Sequence, residues 1–220
     1  MLISNEGPDM SGKSTQVKIL KKYFENENKK VKTFSFPDDN SLIGNIIRQI
    51  LTSNSINKIS KIAFQYLYIA EQTNMTNEIL EYLKNDYVVI LDRYDLSSLV
   101  YAVATSNGDH INDINTYLDD VTLWNAIADA QKFLLIPDIT FVYDLENEVM
   151  KERKEVLDKF ESNEELMKTV CHIYSNIDDY ISDKREIKHI DASKTKEDVT
   201  NQIINCIKEF NTEDGADIGI

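Results

Sequence analysis

The chain has few of the residues that cross-link or interrupt a fold: two cysteines, three prolines and six glycines among 220 residues. Cys171 and Cys206 are too few for a disulfide framework and lack the spacing of metal ligands, so we expect a cytoplasmic protein. The scarcity of proline and glycine leaves little to mark a domain boundary. Because 220 residues fit one hydrophobic core, we expect a single domain over residues 1–211 and an acidic tail over residues 212–220.

Basic charge and long apolar runs are also scarce. The 24 basic side chains are outnumbered by 38 acidic ones, and the net charge of -14 argues against a nucleic-acid polymer as partner. No apolar run approaches the roughly 20 residues that cross a bilayer, so we expect no membrane partner. A hydrophobic content of 42% is enough for a sizeable core, and a small anionic ligand could still bind through a few local cations.

Short apolar runs alternate with stretches of helical spacing along the chain. Two of the runs, YVVIL and ITFVY, are continuous rather than alternating, which is typical of strands buried on both faces of a parallel sheet. One helical stripe is formed by Ile59, Ile62, Ala63, Tyr66 and Ala70. The pattern predicts an α/β fold with strands near residues 2–4, 31–36, 87–91, 139–143 and 187–190.

A phosphate-binding loop follows the first apolar run. Residues 7–14 read GPDMSGKS and satisfy G-x-x-x-x-G-K-[ST], between a predicted strand and a predicted helix. Such a loop points successive N–H groups at phosphate oxygens, Lys13 reaches the β- and γ-phosphates, and Ser14 offers a hydroxyl to Mg²⁺. A chance match in a turn is the alternative. The predicted donor is a nucleoside triphosphate, with contacts from Gly7, Met10, Ser11, Gly12, Lys13, Ser14 and Thr15.

The acceptor side is predicted at the end of the run YVVIL, where Asp92, Arg93 and Tyr94 follow. Ligands of open parallel sheets bind beyond the carboxyl ends of the strands, so these residues should face the same crevice as the loop. Asp92 can hold the metal or orient the attacking oxygen, and the planar fork of Arg93 suits a phosphate ester. The alternative is a helix-capping Asp beside a solvated Arg.

Five segments in the same order resemble the thymidylate kinases, which pass the γ-phosphoryl of ATP to dTMP. They are EGPDMSGKSTQ at 6–16, DRYDLSSLVY at 92–101, IPDITFVYDL at 136–145, LDKFE at 157–161 and IDASKTKEDV at 190–199. The resemblance covers nearly the whole chain. It implies a three-layer P-loop NTPase fold with a five-stranded parallel sheet flanked by helices, a short lid at about 154–162, and a homodimer.

The resemblance also implies residue roles. Asp9 would accept a hydrogen bond from the 3′-hydroxyl of the acceptor sugar, and Arg48 with Arg93 would hold its phosphate. Tyr68 would stack on the pyrimidine, although its helical spacing alone favours a core residue. Further acceptor contacts would be Pro37, Ser97, Ser98 and Tyr101, while Arg153 and Ser193 would lie beside the adenine.

The chain departs from the family at the catalytic cation. Relatives carry an arginine either in the phosphate-binding loop, where this chain has Met10, or in the lid. Such a cation can be worth about 10³-fold or more in rate. Our hypothesis is that Arg153, Lys154 or Lys159 closes over the γ-phosphate.

A second departure affects the base. Gln72 stands where relatives have an arginine that reads the thymine carbonyl, and Ala102 replaces a frequent glutamine. Since glutamine both donates and accepts, we expect Gln72 to contact the base and to relax specificity toward dUMP or a 5-substituted dUMP. Two rival functions stay open: a deoxynucleoside kinase, and a nucleotide-binding protein with little transferase activity.

Overall fold

The computed structural model describes residues 1–53, 59–106, 120–153, 163–181 and 183–213. Five strands form one parallel sheet in the order β2-β3-β1-β4-β5. This confirms the predicted α/β class and the five-stranded parallel sheet. The strands are β1 (Leu2–Glu6), β2 (Lys30–Ser35), β3 (Tyr87–Asp92), β4 (Ile139–Asp144) and β5 (Glu186–Asp191).

Helices cover both faces of this sheet. Within the described residues they are α1 (Lys13–Asn26), α2 (Leu42–Thr52), α3 (Lys61–Lys84), α4 (Asp95–Ser106), α5 (Asp120–Ala130), α6 (Asn147–Glu152), α7 (Glu164–Ser175) and α8 (Lys196–Glu213). Side-chain caps begin four of the described helices. Ser41 accepts from the N–H of Gly44 at 2.8 Å at the start of α2, Ser60 caps α3, Asn163 caps α7, and Thr195 accepts from the N–H of Asp198 at 3.2 Å at the start of α8.

The core consists of two clusters of buried apolar residues. Ile3 and Ile90 belong to the larger cluster, which contains residues of α1, α4, α5, α7 and α8. Their neighbours Leu2, Val89 and Leu91 belong to the smaller cluster, which includes Ile79 of α3. The larger cluster also contains Phe141, Val142 and Tyr143 in succession along β4, and because successive strand residues point to opposite faces, it reaches both sides of the sheet. Apolar packing on both faces gives the expected three-layer arrangement.

Helix α3 confirms the helical spacing, but only part of the stripe is buried. Ala63, Tyr66 and Ala70 are exposed, and Tyr66 keeps 42% of its surface accessible, whereas Ile62 packs against the larger core cluster. The buried face instead includes Phe64 and Ile69 together with polar Gln65 and Gln72, at 4% and 1% exposure.

Two predicted segments fall partly or wholly outside the described residues. The lid at 154–162, with Lys154 and Lys159, is one of them. The predicted tail begins at residue 212, but α8 continues to Glu213, and residues 214–220 are outside the described part. The division into a domain and a tail stays a prediction. Among the described helices, none has both the length and the apolar content needed to span a membrane.

Candidate functional site

The phosphate-binding loop connects β1 to α1, as its sequence context predicts. Gly7 has a φ of 146° and Gly12 a φ of 90°, values that favour glycine. A Cβ at Gly7 would also lie 2.8 Å from the carbonyl oxygen of Tyr143. Met10, between them, also has a positive φ of 61°. The loop backbone therefore turns sharply at several positions before α1 begins.

Lys13 lies inside this loop. Its Nζ donates to the Pro8 carbonyl at 2.5 Å and to Ser11 Oγ at 3.2 Å, and the residue is 5% exposed. Burial, followed by the positive charge of Arg93, lowers the pKa of Lys13 to about 7. Because burial and Arg93 disfavour the charged form of Lys13, a phosphate oxygen near its Nζ would stabilise that charge. The loop is therefore electrostatically suited to bind a polyphosphate.

A cavity of about 380 Å³ opens beside the loop, at the carboxyl edge of the sheet. Ser14 and Asp92 both line it, so the structure brings the predicted metal-binding pair into one cavity. The volume lies in the usual range for small-molecule sites. The predicted acceptor contacts that line the same cavity are Asp9, Pro37, Arg48, Tyr68, Arg93, Ser97, Ser98 and Tyr101.

Arg93 is held from several sides. Its NH1 donates to the Gly7 carbonyl at 3.0 Å and to Ser97 Oγ at 3.1 Å, and its NH2 pairs with Asp9. Its guanidinium carbon lies 5.7 Å from the ring centre of Tyr101, whose hydroxyl donates to Asp9 at 3.4 Å. Burial is the largest single influence and opposes the charge of Arg93, but Asp9 together with Tyr101, Tyr174 and Glu6 raises the pKa of Arg93 well above its usual value.

Arg48 and Tyr68 reach the cavity from two helices. Arg48, on α2, donates to Asp39 Oδ1 at 2.7 Å and is 47% exposed at its side chain. Tyr68, on α3, packs edge-on against Phe64 with ring centres 5.4 Å apart. The structure therefore places Tyr68 at the cavity wall rather than in the core, which is the position that stacking on a base requires.

Gln72 is the predicted acceptor contact that the structure does not bring to the cavity wall. It lies one turn beyond Tyr68 and is 1% exposed. Its Nε2 donates to the Tyr94 carbonyl at 3.0 Å, while its Oε1 has no hydrogen bond from the described residues. One N–H of the amide is thus used within the protein, and the second N–H and the Oε1 remain able to bond a ligand or water that reaches Gln72. Ser98, which does line the cavity, also has a buried hydroxyl without a partner in the described part of the chain.

Arg153 bridges the phosphate-binding loop and the loop between β5 and α8. Its NH1 donates to the Met10 carbonyl at 3.4 Å, and its NH2 donates to the carbonyls of Ala192 at 2.8 Å and Ser193 at 3.3 Å. The Ser193 hydroxyl donates to Asp191 at 2.5 Å. The structure brings Arg153 and Ser193 together, as a shared contact to adenine requires. Lys154, the neighbouring candidate for the catalytic cation, lies outside the described residues.

Three residues of the site had no assigned role in the sequence analysis. Glu6 is completely buried and accepts from the Ser97 hydroxyl at 2.6 Å, and Tyr174 OH lies 3.0 Å from the same hydroxyl. Glu71 holds the segment before α2 by accepting from the Asp38 N–H at 2.9 Å and from Ser41 at 2.5 Å. Glu6 begins the segment EGPDMSGKSTQ, so its place beside the phosphate-binding loop could have been predicted from the sequence. Tyr174 and Glu71 lie in no motif that we identified, and their neighbouring residues do not indicate these contacts.

The comparisons with known proteins agree with this geometry. A family model described as thymidylate kinase matches residues 6–203. The chain belongs to the thymidylate kinase family. As a member it is a nucleoside-monophosphate kinase, a transferase that moves a phosphoryl group to dTMP and gives dTDP. Neither a nucleoside kinase nor an inactive binding protein is favoured by the relatives.

Individual thymidylate kinases align over nearly their full lengths. A thymidylate kinase of Plasmodium falciparum (isolate 3D7) is 28% identical over 94% of this chain and 90% of its own. A probable thymidylate kinase of Methanocaldococcus jannaschii is 32% identical over 96% and 97%. The solved thymidylate kinase of Candida albicans superposes with a TM-score of 0.76 at 28% identity, covering 94% of this chain and 91% of that one.

Proposed function

We propose that the phosphoryl donor is ATP and that transfer takes place in the cavity between the phosphate-binding loop and the two arginine forks. The observation that supports this most directly is that Ser14 and Asp92 line the same cavity as Arg48 and Arg93. Two phosphate-binding arginines serve no purpose unless the acceptor already carries a phosphate. Positioning and electrostatics would then supply the catalysis, without a covalent intermediate.

A magnesium ion fits the donor set at the loop. The Ser14 hydroxyl and the Asp92 carboxylate are hard oxygen ligands on the same cavity wall. The described residues contain no group of three or more His, Cys, Asp or Glu side chains able to hold a metal by themselves. Mg²⁺ commonly takes one or two protein oxygens and completes its shell with phosphates and water. When bound, it supplies charge neutralisation at the phosphate oxygens.

The donor contacts proposed from the loop are Gly7, Met10, Ser11, Gly12, Lys13, Ser14 and Thr15, joined by Arg153 and Ser193 at the adenine. Lys13 is already buried among loop groups, so it needs little movement to meet β- and γ-phosphate oxygens. We keep Arg153 and Lys154 as candidates for the catalytic cation. Because both guanidinium nitrogens of Arg153 donate to carbonyls, closure over the γ-phosphate would require it to leave Met10, Ala192 and Ser193.

On the acceptor side, we propose that Asp9 orients the sugar and that Arg48 and Arg93 hold the phosphate. Tyr68 would stack on the base, an interaction worth about 1–3 kcal/mol in single-strand binders. Pro37, Ser98 and Tyr101 would complete the wall. Asp9 and Arg93 are paired, so the acceptor would enter an already charged and ordered pocket.

We propose that the enzyme accepts other pyrimidine deoxynucleoside monophosphates besides dTMP. One of the two N–H groups of Gln72 Nε2 is donated to Tyr94 and the side chain does not line the cavity, so Gln72 does not offer the thymine carbonyl the charged donor that an arginine would supply. The solved Candida albicans relative is itself described as having broad substrate specificity. We therefore expect kcat/KM for dUMP and 5-hydroxymethyl-dUMP to approach that for dTMP, with dCMP measured alongside. A dominant preference for dTMP would refute the relaxation.

A homodimer and a cytoplasmic location complete the proposal. Leu42 and Ile46 lie one turn apart on α2 and are 81% and 42% exposed, and Tyr66 is exposed on the neighbouring α3. An apolar face of this kind fits a subunit interface. Both cysteines are unpaired thiols, which suits a reducing compartment.

A coupled assay for ADP release tests the function directly. It compares ATP alone with ATP plus thymidine, dTMP or dUMP, at fixed Mg²⁺ and after addition of a chelator. We expect release that depends on the monophosphate and on Mg²⁺, with the diphosphate as product. Release driven by thymidine would indicate a nucleoside kinase. No release with any acceptor would indicate a binding protein and would overturn the proposal.

A further inference from the structure

The hydroxyl of Ser97 is fully used within the protein. A serine hydroxyl has one proton to donate and two lone pairs that accept. Its proton goes to Glu6 Oε2 at 2.6 Å, and one lone pair accepts from Arg93 NH1 at 3.1 Å. The second lone pair is left for Tyr174, whose hydroxyl lies 3.0 Å away and therefore acts as the donor. Nothing remains for a substrate.

These contacts come from separate parts of the fold and are shielded from water. Glu6 ends β1, Ser97 lies in the first turn of α4, and Tyr174 lies on α7. Glu6 and Tyr174 are both 0% exposed, and Ser97 is 8% exposed. Buried hydrogen bonds to a carboxylate are stronger than surface ones, so this cluster is a rigid support rather than a chance contact.

Arg93 needs such a support. Its backbone has a φ of 64°, in the left-handed region that a non-glycine residue adopts only when its surroundings hold it there. One nitrogen of its fork pairs with Asp9, and the other is shared between the Gly7 carbonyl and Ser97. The Ser97 contact therefore fixes the plane of the guanidinium relative to the phosphate-binding loop.

We propose that Glu6, Ser97 and Tyr174 are positioning residues that orient the Arg93 fork toward the acceptor phosphate. This rests on the proposed function and deepens it. It also revises the expected role of Ser97, which acts through Arg93 instead of touching the nucleotide. The carboxylate of Glu6 anchors the cluster because it fixes the direction of the Ser97 proton, and thereby leaves the oxygen lone pairs facing Arg93 and Tyr174.

The test compares binding and turnover in Ser97→Ala, Tyr174→Phe, Glu6→Leu and Glu6→Gln. Titration calorimetry gives the Kd for dTMP without donor, and steady-state assays give KM for dTMP and for ATP. We expect Ser97→Ala and Glu6→Leu to weaken dTMP about ten-fold, the size of one hydrogen bond to a charged group. The KM for ATP should change less than about two-fold, since the loop contacts of the donor are untouched. Tyr174→Phe should show a smaller effect of the same kind.

Glu6→Gln is the rescue variant. It keeps an oxygen that accepts from Ser97, so it should recover most of the dTMP affinity that Glu6→Leu loses. Ser4→Ala is the matched control, because Ser4 also has a fully buried hydroxyl, 2.7 Å from that of Thr140 in the sheet. It should lower the melting temperature as Ser97→Ala does and leave the dTMP affinity at the wild-type value.

Two failures can be told apart. If wild-type protein neither binds dTMP nor releases ADP with it, the proposed function itself is wrong. If wild-type protein does both, but Ser97→Ala and Tyr174→Phe keep wild-type affinity for dTMP while losing stability like Ser4→Ala, the cluster is merely structural. Equal loss of dTMP affinity in Glu6→Gln and Glu6→Leu would also overturn the positioning role.

Discussion

At the scale of single residues, the site is organised around two cations, a buried Lys13 and an Arg93 whose side chain is 16% exposed. Lys13 belongs to the donor side and Arg93 to the acceptor side, and both donate to carbonyls of the phosphate-binding loop, Lys13 to Pro8 and Arg93 to Gly7. The positive charge of Arg93 contributes to the lowered pKa of Lys13, so the two cations repel each other in the protein alone. Two anionic substrates would relieve that repulsion, which favours a site built to hold two phosphate groups at once.

Replacing Lys13 by alanine should abolish most of the transfer. The variant loses the cation expected at the transferring phosphoryl, and removal of one such stabilising group typically lowers kcat by roughly 10²–10³-fold. Steady-state ADP release measures the change. The control is Lys22→Ala, an exposed lysine on the same helix, which should keep the wild-type rate. A Lys13→Ala enzyme with more than a tenth of the wild-type kcat would contradict the assigned role.

At the scale of secondary structure, the start of α4 is anchored by a buried ion pair. Arg185, 4% exposed at its side chain, donates from both nitrogens to Asp95, at 3.1 and 2.5 Å, and also binds Asp183. Asp95 is the first residue of α4, the helix that carries Ser97, Ser98 and Tyr101. The pair therefore links the last strand of the sheet to the acceptor wall.

Removing one partner of this ion pair should lower the stability of the protein. Arg185→Met leaves the carboxylate of Asp95 buried without its partner, and we expect a loss of about 3–5 kcal/mol in the free energy of unfolding. Urea denaturation measures it. The double variant Asp95→Asn with Arg185→Met removes the orphaned charge and should recover part of the loss. A cost below about 1 kcal/mol for Arg185→Met would mean that the pair does not anchor α4.

At the scale of the whole molecule, the exposed apolar side chains of α2 and α3 predict association. Leu42→Glu places a charge in the proposed interface and should shift the protein from dimer to monomer in light-scattering measurements, because burial of an unpaired charge is unfavourable. Phe133→Glu is the control, since Phe133 is 73% exposed but lies in the short segment between α5 and β4, outside α2 and α3. A Leu42→Glu protein that stays dimeric would place the interface elsewhere.

Stability of the protein without ligands should pass through a minimum near pH 7. Burial and then the charge of Asp95 raise the pKa of Glu6 to about 7, so the folded state binds more protons than the unfolded state between about pH 4.5 and 7. Stability falls over that range as pH rises. The lowered pKa of Lys13 reverses the sign above pH 7, where the unfolded state binds more protons and stability rises toward pH 10.5.

Glu6→Gln tests the acidic limb of this curve. The neutral side chain cannot titrate, so the fall in unfolding free energy between pH 4.5 and 7, on the order of 2–3 kcal/mol, should largely disappear. Chemical denaturation at several pH values measures it, in the absence of nucleotides. An unchanged pH dependence in Glu6→Gln would show that another group titrates in this range.

The sequence by itself determined the fold class and the donor loop. Short continuous apolar runs that alternate with helical stretches are typical of strands covered on both faces, and the pattern of Gly7, Gly12, Lys13 and Ser14 encodes a local backbone shape that needs no distant partner. For that reason the strands β1 to β5 and the loop were predictable from neighbouring residues alone.

Only the tertiary structure decided which polar residues serve the site and which are consumed by the protein. Gln72 donates to Tyr94, Ser97 is saturated by Arg93, Glu6 and Tyr174, and Ala63, Tyr66 and Ala70 of the α3 stripe are exposed. The partners in these contacts lie far apart in the chain. Side-chain hydrogen bonds depend on angles and distances that the packing of helices and strands sets. The spacing of residues along the sequence therefore does not predict these hydrogen-bond partners.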